Sequence, residues 1–167
     1  MILYLLLWAI AVISILVRGS LVGHALPRYF DVDFIIIILI YLFTFYGEKG
    51  AGVFAFGTGV LTDLFSGGLF GFYTLIYLTV FLVMRFGSRP LDLSSTGTQI
   101  ITVFLAVFLK GILMIVLFYL FSLRAIFSLT DFFVFIFSII CSGLIAPFLF
   151  YLFNYCNRFM VDSKREF

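Results

Sequence analysis

The run GEKGAGVFAFGTGVLTDLFSGGLFG, residues Gly47–Gly71, decides how this chain folds. Within it Gly47, Ala51, Ala55 and Gly59 recur at every fourth position, and Asp63 takes the next one. Residues four apart share one face of a helix. Side chains this small let a second helix approach closely, and small-xxx-small spacing is a common basis for helix packing in a bilayer, where lipid is as apolar as leucine. Thr58, Thr62 and Ser66 form a neighbouring polar stripe, and Gly67 and Gly71 carry the small spacing across the Ser66-Gly67-Gly68 turn. The residues Gly47, Ala51, Ala55, Gly59, Gly67 and Gly71 are therefore expected to form a helix-packing or partner interface, with this helix at the centre of a bundle.

The rest of the chain supplies the bundle. Its 167 residues are 65% hydrophobic, 21% aromatic and only 11% charged, with a mean hydropathy of +1.30. A soluble domain is about 45–50% apolar and about 25% charged, so this composition excludes a water-covered globule, a disordered segment and a nucleic-acid binder. The net charge of +2 is too small to call for a polyanionic partner. An all-α integral membrane protein remains, as one polytopic domain over residues 1–167. Six transmembrane helices are expected, at about 2–17, 31–46, 50–65, 69–86, 99–121 and 132–153. The first has neither a basic region before it nor a small-residue cleavage site after it, so it does not read as a cleaved signal peptide. The second begins at Asp31 and Asp33, which suit a helix N-terminus by capping and by dipole. Lys49, Arg85, Arg89, Arg158, Lys164 and Arg165 fall on one side of the six-span arrangement, and Arg18, Arg28 and Arg124 on the other. The positive-inside rule then puts both termini in the cytoplasm.

Two charges lie at membrane depth. Lys110 is about 11 residues, or roughly 16 Å, from the cytoplasmic end of the fifth segment, and Asp63 is about 12 residues, or roughly 18 Å, into the third. The two segments run the same way, so an Asp63–Lys110 pair is expected to offset two desolvation costs. The competing expectation has Asp63 bonded to backbone N–H groups of the Ser66-Gly67-Gly68 turn, with Lys110 snorkelling along its stem or meeting an acid of a partner subunit. Gly143 and Pro147 are expected to kink the sixth segment, and Trp8, Tyr29, Tyr46 and Tyr155 to anchor at the interfaces. His24 reads as a loop residue. Cys141 and Cys156 are 15 residues, about 22 Å, apart on one helix, too far for the roughly 7 Å that a disulfide spans. The sequence holds no Ser-His-Asp or Cys-His set, no HExxH and no phosphate loop. No catalytic residue, metal ligand or cofactor is expected, and the chain reads as either an assembly protein or a small-solute-binding subunit.

The stretch Gly52–Leu75, GVFAFGTGVLTDLFSGGLFGFYTL, resembles the rod shape-determining MreD family, in which a glycine-spaced helix leads to an Asp, a Ser-Gly-Gly-like turn and a Gly before the next helix. Gly59, Asp63, Ser66, Gly67, Gly68 and Gly71 match that pattern. Asp33 matches the Asp of the family's Pro-Asp before the second helix, with Val32 in place of the Pro, and Leu69 stands where a Pro is common after the turn glycines. The resemblance implies a non-enzymatic component of the bacterial inner membrane in the cell-elongation machinery. Its implied partners are an MreC-like single-span protein, an MreB-like cytoskeletal protein, the RodA glycosyltransferase with its transpeptidase, and membrane lipids. The family also looks related in fold to the six-helix S components of energy-coupling-factor vitamin transporters, which supply the alternative function. An S component usually carries a small-xxx-small motif on its first helix, a spacing that Ala9 and Ala11 lack.

Overall fold

The computed structural model describes residues 2–21, 33–66, 70–87, 96–121 and 129–162. Within them the chain forms α1 (Ile2–Leu21), α2 (Phe34–Ser66), α3 (Phe72–Gly87), α4 (Thr96–Leu120) and α5 (Leu129–Asp162), with no strands among the described residues. Leu3, Leu7, Ala11 and Ile15 of α1 are buried at a spacing of four, one stripe of one face. Leu5, Leu6, Ile13 and Leu16 between them stay exposed.

That outward apolarity extends over the whole molecule. Phe70, Phe86, Leu120, Phe133, Leu144 and Phe148 are each about two-thirds exposed or more. Soluble monomers keep contiguous apolar patches to a few hundred Å². Three helices are long and apolar enough to cross a membrane, within 34–66, 97–117 and 136–156, while the apolar helices over 3–17 and 72–87 are shorter. The architecture is all-helical among the described residues and consistent with a membrane protein.

The helix count differs from the expectation of six. The expected second and third segments are the two arms of one element, α2, broken inside at Gly47, where φ is 79° and ψ 176°. A positive φ costs an L-residue with a Cβ but not glycine, so the break falls where the sequence permits it. The chain turns back there. Phe43 before the break and Gly52 after it both face the ring of Phe81 on α3. Past that shared point, the second half of α2 follows α3 in reverse, Gly59 meeting Thr74. The first half runs alongside α5, from Asp33 at Ser142 to Tyr41 at Asn154.

The centre of the bundle is also not where the small-residue spacing suggested. Every residue from Ile35 to Leu42 is at most 3% exposed, so the first half of α2 is enclosed on all sides. The second half has Val53, Phe56, Leu64 and Phe65 facing outward. Small residues mark a face of close approach, whereas complete enclosure is marked by an unbroken apolar run, here Ile-Ile-Ile-Ile-Leu-Ile-Tyr-Leu. Helix α5 continues without interruption through Pro147. The residue whose carbonyl loses its donor to that proline is Gly143, which has no side chain to crowd the turn. Cys141 and Cys156 are free thiols.

Candidate functional site

Helix α3 needs an external cap. Its N-cap position is Gly71, whose carbonyl accepts from the Leu75 N–H at 2.9 Å and whose φ is +94°. Glycine offers no side-chain oxygen to the free N–H groups of the first turn. Asp63, on the last turns of α2 and 3% exposed, supplies it. Its Oδ2 accepts from the Gly71 N–H at 3.0 Å, the Thr74 N–H at 3.1 Å and the Thr74 hydroxyl at 2.6 Å, and its Oδ1 accepts from the Tyr73 N–H at 2.7 Å. One carboxylate thus serves three backbone donors at the positive end of a helix dipole.

The carboxylate reaches that end because Gly59, one turn earlier on the same face, lets α3 approach. A Cβ at Gly59 would lie 2.5 Å from Thr74 Cα and 3.1 Å from Thr74 N. Gly59, Asp63 and Gly71 therefore act as one joint between α2 and α3. Ala51 and Ala55 lie on the same face and are buried, at 0% and 1% exposure. Gly47, expected on that face, is instead the exposed break in α2. Gly67 and Gly68 lie outside the described residues.

Lys110 does not meet Asp63. Its Nζ is 2.5 Å from Oδ1 of Asp33, with both residues buried. The expected Asp63–Lys110 pair is thereby corrected: Asp63 is turned to the α3 N-terminus, and the lysine takes the acid at the start of α2. Depth along a helix axis does not distinguish two acids at comparable height. Asp33 keeps its expected place as a helix N-terminal residue, its carbonyl accepting from the Ile37 N–H at 3.1 Å. Its own N–H donates to Ser142 Oγ on α5 at 3.1 Å. The Lys110 ammonium also lies 5.9 Å from the centre of the buried Tyr77 ring on α3, within cation–π range. Four helices meet at this charge. Asp31 lies outside the described residues.

Two contacts fasten the end where α2 turns. Glu48 Oε2 is 2.7 Å from Arg85 Nε at the end of α3, and the Tyr4 hydroxyl of α1 donates to the Gly50 carbonyl at 3.2 Å. Trp8, expected as an interfacial anchor, packs inward. Its ring is edge-on to Phe54, 5.3 Å between centres, and fills the space beside Gly57, where a Cβ would lie 2.2 Å from it. Gly50 and Gly57, seven apart, thus face α1, and Gly52 and Gly59, also seven apart, face α3. The four-residue spacing hid this second pattern, although seven-residue recurrence is just as legible. Tyr46 is half-buried and tilts against Tyr4, Tyr155 is exposed, and Tyr29 and His24 lie outside the described residues.

The polar stripe of Thr58, Thr62 and Ser66 folds back on its own helix. Thr58 donates to the Phe54 carbonyl and Thr62 to the Thr58 carbonyl, both at 2.7 Å, and Ser66 to the Asp63 carbonyl at 3.3 Å. Such bonds satisfy a hydroxyl in an apolar setting from within its own helix. Among the described residues no group of three or more His, Cys, Asp or Glu is placed to hold a metal ion. What this arrangement does chemically is fix helices: an anion at a helix start, and an ion pair where four helices cross. Comparison with family models, curated proteins and solved structures finds no match to this chain.

Proposed function

We propose that this chain is a non-enzymatic component of the bacterial cell-elongation machinery, a six-span inner-membrane protein that helps assemble or regulate lateral peptidoglycan synthesis. The observation that carries this reading is the joint of Gly59, Asp63 and Gly71. These are three of the six motif residues on which the resemblance to the MreD family rests, and here they have one shared physical task. The buried charges follow the same logic: Asp63 and the Asp33–Lys110 pair hold helices to one another. A protein whose work is to present a fixed shape to partners needs that rigidity. The partners under this reading are an MreC-like single-span protein, an MreB-like cytoskeletal protein, and RodA with its transpeptidase.

With α2 reversing at Gly47, its two arms stand beside α1, α3, α4 and α5 among the described residues, which supports a six-span reading. The Glu48–Arg85 pair brings the turn at Gly47 and the end of α3 to one end of the bundle, together with Lys49. That end is the cytoplasmic one by the positive-inside rule, and both termini lie on the same side.

The test is affinity purification of the tagged protein from its native membranes in mild detergent, with mass spectrometry of what co-purifies. Recovery of a single-span coiled-coil protein and wall-synthesis enzymes, with rounding of rod-shaped cells on depletion, is the expected result. Recovery of a transmembrane coupling subunit with two ATPases instead would replace this reading with that of a vitamin-transporter S component.

A further inference from the structure

Gly47 divides α2 into a first arm over 34–46 and a second over 48–66. The second arm has α1 on one side, with Trp8 at Gly57, and α3 on the other, with Thr74 at Gly59. The three are fastened level at one end, where the Tyr4 hydroxyl bonds to the Gly50 carbonyl and Glu48 pairs with Arg85. Each is short. Its apolar stretch runs over 2–17 in α1, 51–65 in the second arm and 70–86 along α3. At 1.5 Å per residue these are about 22, 21 and 24 Å long, and tilt only lowers their height. The hydrocarbon core of a bilayer is about 30 Å thick. Helices α4 and α5 pack on one another and carry apolar stretches over 97–117 and 136–156, each about 30 Å long. One side of the bundle is therefore several ångströms too short for the bilayer that the other side matches.

We propose that α1, the second arm of α2 and α3 form a lipid-contact surface that gathers short-chain phospholipid and thins the bilayer beside it, while α5 meets bilayer of ordinary thickness. A span that is too short is accommodated by thinning, by snorkelling of its flanking residues or by association with another copy. Two observations select thinning. Close association of helices in a membrane relies on small residues at the contact, and the four glycines of the second arm are already taken up inside this side of the molecule. Gly50 and Gly57 face α1, and Gly52 and Gly59 face α3. What the arm turns outward is bulky, Val53 and Phe56 each being more than half exposed, and bulky apolar side chains suit acyl chains better than a second helix. Arg85, the charged residue at the end of α3, is tied to Glu48, which limits how far it can reach along its stem. The inference takes from the proposed function only that these helices cross a membrane, and it is independent of the role in cell elongation.

The test places a tryptophan on each side of the purified full-length protein and reads its quenching in vesicles of dibromostearoyl phosphatidylcholine. Unbrominated dimyristoleoyl or dioleoyl phosphatidylcholine is then mixed in to compete, and the wild-type signal of Trp8 is subtracted. Phe56→Trp reports on the short side and Phe148→Trp, on α5, on the long one; both positions are more than half exposed. Val53→Trp repeats the first reading one turn away. At Phe56→Trp and Val53→Trp the shorter lipid is expected to relieve quenching several-fold more effectively than the longer. At Phe148→Trp the two are expected to compete equally. Equal competition at Phe56→Trp and Val53→Trp, or the same short-chain preference at Phe148→Trp, would overturn the proposal. Absence of quenching at both Phe56→Trp and Val53→Trp would overturn it too, by showing that something other than lipid covers this side. Co-purification of other partners than the wall-synthesis proteins would overturn the cell-elongation reading alone.

Discussion

Gly59 and Thr74 are in backbone contact: a methyl group at position 59 would lie 2.5 Å from Thr74 Cα. Gly59→Ala is expected to destabilise the protein by about 1–3 kcal/mol, the usual range for overpacking, even though alanine favours a helix by about 1 kcal/mol over glycine. Gly52→Ala is the matched control. Its added methyl meets the ring of Phe81 at 3.2 Å, and a ring edge gives way more easily than backbone. Thermal melts in detergent should rank Gly59→Ala well below Gly52→Ala, and equal melting points would contradict the joint.

Asp63→Ala leaves three backbone N–H groups of α3 without their acceptor. A lost cap costs about 0.5–2 kcal/mol, and buried unpaired donors add about 1–3 kcal/mol each where water does not reach them. Asp63→Asn keeps one carbonyl acceptor and should lose about half as much. Hydrogen exchange at Tyr73 and Thr74 is the sharper readout, with faster exchange expected there than in the middle of α3.

Asp33 and Lys110 provide a double-mutant cycle. Asp33→Leu or Lys110→Met alone strands a buried charge, at a cost of about 3–5 kcal/mol. The double variant should recover much of that loss, since apolar replacement of a whole buried pair is often neutral. Asp63→Leu combined with Lys110→Met should show no such recovery. Strong coupling of Lys110 to Asp63 would reverse the pairing described here.

Gly47→Ala isolates backbone strain. No atom lies within 4 Å of a Cβ there, but φ is +79°. The pair φ 79°, ψ 176° lies outside the left-handed helical well and is essentially confined to glycine, so the expected loss is about 1–3 kcal/mol, and Gly47→Asn should lose as much. If both variants melt like wild type, the sharp turn at this position is not required.

The sequence made some of these elements legible and hid others for physical reasons. Helical spans were legible because long apolar runs permit little else in a bilayer. The alternative expectation had Asp63 bonded to N–H groups of the Ser66-Gly67-Gly68 turn, whereas among the described residues its donors are Gly71, Tyr73 and Thr74 at the start of α3, a helix end that spacing along one segment does not reveal. The partner of Lys110 was hidden. Linear depth gives one coordinate, whereas pairing also depends on which helix faces which, and that is set by Gly59 and by the enclosure of Ile35–Leu42. Trp8 misled for a related reason. A tryptophan in a membrane span reads as an interfacial anchor, and the bare backbone of Gly57 makes room for this one inside. As the chain's single tryptophan, it reports directly on that contact: Gly57→Val should shift its emission, while Gly97→Val, which meets nothing within 4 Å, should not.

The complete enclosure of Ile35–Leu42 carries a consequence for biosynthesis. This segment leaves the ribosome long before α5, yet Tyr41 packs on Phe150 and Phe153, and Asp33 bonds to Ser142. Until α5 is made, the most deeply embedded part of the protein stands uncovered on one side. Its eight consecutive apolar side chains suit that interval, because they are as stable against lipid as against protein. This part of the chain therefore reaches its final form only once α5 has been made, and quality control that senses an open flank in the membrane can act on every copy truncated before α5.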